Sequence, residues 1–88
     1  MYAVYIKDGK ADITPIDVLR EEHRFYHTAK DGPILKSSSL GRRMKPTIPD
    51  AKKYFRAKQR REIANQQLII IRAQQQIEQM QGWIKDLD

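Results

Sequence analysis

At 88 residues, with a net charge of +6, 32% charged side chains and no cysteine, this chain is one small unit that no disulfide staples. A chain of this size buries only about 60–65% of the surface its unfolded form exposes, which excludes a large private core and makes a partner or a second copy the expected remedy. The missing cysteines suit a reducing compartment, and the longest aliphatic run, Leu68–Ile71, is far short of the roughly 20 residues of a membrane span.

The start, MYAVYIKDGK, lacks the basic-then-apolar order of a secretory signal. The expectation is a soluble, cytoplasmic protein with no membrane contact, a place in a virion being compatible with the same features. Its charge is unevenly spread. Residues 42–61 carry nine basic side chains against Asp50 alone, a local charge of +8 that leaves −2 for the rest of the chain. A positive field concentrated in this way attracts polyanions, either DNA or RNA or an acidic protein surface.

In chain order, Tyr2, Val4 and Ile6 alternate with Ala3 and Tyr5 in a β-branched and aromatic run that predicts a strand. Asp8-Gly9 follows, a pair that favours the positive φ angles of a tight hairpin, so residues 10–14 should return antiparallel to residues 2–7. Thr14-Pro15-Ile16-Asp17 then reads as a helix start, with Thr14 as N-cap, Pro15 at the first helical position and Asp17 closing a capping box. Ile16, Leu19, His23 and Tyr26 would share a face of that helix. A second Asp-Gly, Asp31-Gly32, either closes another hairpin, with Phe25–Ala29 as strand, or is a turn after a longer helix. Residues 36–45, KSSSLGRRMK, have the composition of a mobile linker.

The second half starts on Thr47-Ile48-Pro49-Asp50. Thr47 can cap, Pro49 falls in the first turn where no internal N–H bond is lost, and Asp50 lies near the positive end of the helix dipole. From Ile48 to about Asp86 only Gly82 interrupts a helix, which at 1.5 Å per residue runs roughly 58 Å. Forty-odd residues of preceding chain cannot bury so long an element. The predicted class is therefore α+β: a small β-hairpin unit over residues 1–36, a flexible basic linker over 37–46, and one long helix over 47–88 that forms a coiled coil or helical bundle.

The apolar pattern of that helix predicts self-association. Ile63, Ile70, Ile77 and Ile84 recur every seven residues, and Gln66, Ala73, Met80 and Leu87 follow each by three, which gives the a and d positions of a heptad repeat. Ile69 and Trp83 fall at g and widen the seam, while Leu68 and Ile71 lie outside it. The width of the Leu68–Ile71 run points to more than two helices, or to a second contact with the N-terminal hairpin.

Carried backwards, the same register puts Arg56 at a and Lys52 at d, where like charges repel across a parallel pair. The seam therefore stops near residue 60. On a wheel with Lys52 at zero, Lys53, Arg56 and Arg60 fall at about 100, 40 and 80°, one narrow basic face. With Arg42, Arg43 and Lys45 of the linker they form the predicted binding set for nucleic acid or an acidic partner. A basic helix followed by heptads has the order of a basic-zipper DNA binder. The d positions lack a Leu series, however, and the only Asn, Asn65, follows the basic cluster. Non-specific phosphate contact is thus the better reading.

Chemistry elsewhere is thin. His23 and His27 at i and i+4 would share a helical face, but HRFYH has no Glu after its first His and no third His or Cys to complete a metal site. The four Gly never cluster into a phosphate loop, and Ser37–Ser39 have no predictable base beside them. The expected protein is not an enzyme and needs no cofactor. Three function classes remain: a nucleic-acid-contacting coiled coil, an assembly or adaptor protein that docks its helix and basic segment on a larger partner, and, least favoured, an enzyme subunit whose active site another chain completes.

Overall fold

The computed structural model describes all 88 residues and is an α+β chain: five strands in two small antiparallel sheets, a short helix and one long helix. By its internal contacts it divides into two units, Met1–Ala57 and Lys58–Asp88. No helix is long and apolar enough to cross a membrane.

The first sheet is the hairpin of β1 (Tyr2–Lys7) and β2 (Lys10–Pro15). Asp8 and Gly9 take φ of 52° and 75°, the paired positive angles of a type I′ turn, whose twist matches that of the flanking strands. Val4 pairs with Ile13 and Tyr2 with Pro15.

The predicted helix at Thr14 does not form. Ile16 instead exchanges two bonds with the start of the chain: its N–H donates to the Met1 carbonyl (2.7 Å), and its carbonyl accepts from the Met1 ammonium (2.9 Å). Extended backbone at residue 16 leaves the local capping signal unused, and the chain enters β3 (Val18–Glu21). Pro15 is accommodated because β2 is an edge strand whose other side needs no N–H donor.

The second sheet orders β3, β4 (Phe25–Thr28) and β5 (Gly32–Leu35) antiparallel. Asp31-Gly32 therefore closes a hairpin rather than ending a longer helix. The buried Thr28 hydroxyl holds the turn by donating to the Gly32 carbonyl (2.9 Å) and accepting the Asp31 N–H (3.1 Å), while Gly32 supplies φ of 68°.

Residues 37–46 contain structure rather than an unbroken linker. Ser38 caps α1 (Ser39–Arg43), accepting the Gly41 N–H at 3.1 Å. A Cβ on Gly41 would collide with the Leu35 carbonyl oxygen and stand 2.8 Å from Lys36 Cα, so the helix can lie this close to β5 only with glycine there. Beyond it, Lys45 and Tyr2 exchange backbone bonds of 2.7 and 2.8 Å, and Met44 is 2% exposed.

The long helix α2 (Ile48–Leu87) begins as its cap signal requires, the Asp50 N–H donating to Thr47 Oγ1 at 3.3 Å. It runs unbroken through Gly82. The core of the first unit is small: Ala3, Val4, Ile34, Met44 and Ala51. Each of its larger members contributes about 1.5–3 kcal/mol by leaving water.

Candidate basic face and apolar stripe

The first turns of α2 sort their side chains by face. Ala51 is 1% exposed and Tyr54, Phe55 and Lys58 are half-buried, whereas Lys52, Lys53, Arg56 and Arg60 are exposed. On a wheel with Lys52 at zero, the covered residues fall at about 200–300° and the basic ones at about 0–100°. Small Ala51 marks the covered side, and the charges follow on the other. Helical periodicity thus makes one basic line of the four residues predicted to form it.

Lys52, Lys53, Arg56 and Arg60 make no ion pair; the pairs present are Arg20–Glu22 (3.1 Å) and Lys36–Glu21 (2.6 Å), with His27 Nε2 also 3.3 Å from Glu22. Cations held on one face without counter-charge repel one another, and an anion laid along them relieves that repulsion.

The other three predicted contacts stand differently. Arg42 is exposed in the last turn of α1. Arg43 is half-buried, its guanidinium carbon 5.7 Å from the centroid of the Tyr5 ring, and Lys45 is half-buried with Nζ 4.7 Å from the Tyr54 ring. These are cation–π geometries worth about 0.5–1 kcal/mol each at partly exposed sites. They tie the charges to the fold, so Arg43 and Lys45 are less free to meet a ligand than the line on α2. Nothing local in the sequence signalled this, because each ring lies well away in sequence from its cation. Burial pushes the Tyr5 hydroxyl above its ordinary pKa of 10.0, with nearby Arg43 acting in the opposite direction and Asp31 in the same one.

The histidine pair does not share a helical face. His23 lies in the turn between β3 and β4, and His27 lies in β4, where its Nε2 approaches Glu22 Oε2 without hydrogen-bond geometry. Nowhere does the fold gather three His, Asp or Glu side chains in metal-binding range. A cavity of about 320 Å³ opens between Tyr5, Pro15, Ile16, Thr28, Ile34 and Leu40. Thr14, Asp17, Lys30 and Asp31 line it as well, and the Thr28 hydroxyl there donates to the Gly32 carbonyl.

In the second unit, none of the residues proposed for self-association is covered. Ile63 and Ile70 are 56% exposed, and Ala73, Ile77, Met80, Ile84 and Leu87 are exposed as well. Leu68, Ile69, Ile71 and Trp83 share that exposure. Monomeric proteins rarely leave so continuous an apolar surface in water. Comparison with known protein families, curated proteins and solved structures finds no match.

Proposed function

We propose that this is a non-enzymatic protein that self-associates through the Ile stripe of α2 and contacts nucleic-acid phosphates, without sequence selection, through the basic line at the start of the same helix. The observation that carries this reading is the state of Lys52, Lys53, Arg56 and Arg60, exposed and without an acidic partner on the side of α2 away from buried Ala51. Phosphate contact needs only Lys and Arg on a reachable face, and each phosphate neutralised releases condensed counterions. Anisotropy of a labelled random-sequence duplex, titrated from about 50 to 200 mM salt, tests it. With about six phosphates neutralised, log affinity falls with log salt at a slope near −5. Absent binding at the lowest salt refutes the nucleic-acid reading.

One observation favours a second reading, an adaptor docked on a larger protein. Leu68 and Ile71, about half exposed, lie outside the heptad seam, and a two-helix contact would leave them in water. A protein surface cradling α2 would cover them. The double variant Leu68→Ser, Ile71→Ser separates the readings. Self-association is unchanged if the seam alone is used, and partner capture is lost if a wider surface is.

A further inference from the structure

We propose that the occupant of the apolar stripe is a second copy of this chain running antiparallel. The inference rests on the self-association reading above and adds its direction. The heptad positions of residues 56–88 distinguish the two directions.

In a parallel pair each core position meets itself. Ala73 would face Ala73 of the second copy and leave a void, Gln66 would face Gln66, and Arg56 would face Arg56 at the mouth of the seam. The flanking g and e positions would set Ile69 against Gln74, and the only Trp, Trp83, against Asp88. The Ala73 void, the Ile69–Gln74 and Trp83–Asp88 flanks and the facing Arg56 pair are mismatches of volume, polarity or charge, whereas the two Gln66 amides can bond each other.

Reversing one helix pairs a with d, e with e, and g with g. Ile77 then covers Ala73 of the second copy, Ile70 meets Met80, Ile63 meets Leu87, and Ile84 meets Gln66. Ile77 over Ala73 sets a large residue on a small one, as interdigitated cores require, two further layers are wholly apolar, and Ile84 over Gln66 is the one layer of unlike polarity. On the g side Ile69 meets Trp83, so the two apolar residues that widen the seam cover each other. On the e side Gln67 meets Gln81, Gln74 meets its own copy, and Arg60 meets Asp88. Neither Arg60 nor Asp88 has an ion-pair partner within the chain, and both are exposed. One register fills the space over Ala73 and satisfies the apolar flank and the charged flank together, and Arg56 no longer confronts itself. The two basic lines then sit at opposite ends of the seam, an arrangement that joins two nucleic-acid segments instead of gripping one between paired arms.

Because the chain has no cysteine, directed cross-linking is clean. Sedimentation equilibrium of the unmodified protein first establishes the dimer. A Gln66→Cys chain is then mixed with an Ile84→Cys chain and oxidised. The antiparallel pair joins one variant to the other, and Gln66→Cys alone gives no cross-link, its two thiols standing about 27 Å apart along the axis. Cross-linking of each variant to its own copy overturns the proposal and establishes a parallel pair. As a second readout that leaves the core intact, nitroxides on Gln67→Cys are separated by at least about 21 Å along the axis in the antiparallel pair and lie at the same level, flanking the seam, in the parallel one. A monomer by sedimentation overturns the self-association reading itself, an outcome distinct from a dimer of the other direction.

Discussion

Residues 1–57 and 58–88 solve the problem of a short chain in opposite ways. The first unit gathers all five buried apolar residues, Ala3, Val4, Ile34, Met44 and Ala51, and ties its strands together with turn, cap and bridge hydrogen bonds. The second is a single helix that buries none of its Ile, Leu, Met or Trp side chains. A helix gains most of its stability from packing an apolar face, not from intrinsic propensity. The first unit therefore has the means to hold its shape within one chain, while the second depends on what covers it.

That contrast can be broken from either side. The largest effect is expected from Ile70→Asp, which places a charge in the centre of the stripe of both copies. In the proposed dimer, which covers the otherwise exposed Ile70, it should cost on the order of 2–5 kcal/mol per chain, like other losses of a buried aliphatic side chain. Sedimentation would read a monomer, while amide protection in β1 and β4 stays unchanged. Met44→Ala is the counterpart in the first unit. It should cost about 2–5 kcal/mol of that unit's stability in a denaturant titration and leave the association state alone. An effect of Met44→Ala on association, or of Ile70→Asp on the strands, would show that the two regions are not energetically separate.

A third change touches neither kind of stability. Lys52→Glu, Lys53→Glu and Arg56→Glu together replace three positive charges with negative ones on an exposed line. Duplex binding at about 100 mM salt should be lost and the sedimentation profile kept. Smaller still is Thr47→Ala, which removes the hydroxyl accepting the Asp50 N–H and should lower thermal stability by about 1 kcal/mol.

The smallest effect is a pH dependence at Tyr5. Burial raises its folded-state pKa above the ordinary 10.0, so above that value the folded form holds more protons than the unfolded one and stability falls as pH rises. The contribution is intact below pH 10 and is lost as pH passes through the folded-state value. Tyr5→Phe should remove this alkaline slope in a pH series of melting temperatures.

What the sequence made legible divides along the same line. The β1–β2 hairpin and α2 were readable because Asp8-Gly9, the alternation of Tyr2 to Ile6, and the Thr47 cap are signals whose causes lie within a few residues. The false helix at Thr14 arose from an equally local signal, overruled by a distant partner: the backbone of Met1 takes both hydrogen bonds of Ile16. Residues 36–45 looked unstructured because Ser38, Gly41 and Met44 gain meaning only against Leu35, Lys36 and the rest of the core. On α2, the wheel alone grouped Lys52, Lys53, Arg56 and Arg60. No local pattern foretold that Arg43 and Lys45 lie against tyrosine rings.

The most direct test of the dependence of residues 58–88 on a second copy is the melting temperature of the helical signal at different protein concentrations. A helix held by self-association becomes more stable as concentration rises, because mass action favours the bound form. Over an approximately 100-fold range of concentration, the helical transition should move to higher temperature while aromatic signals from the first unit stay fixed. A helical transition independent of concentration, in a chain that sediments as a monomer throughout, would contradict it.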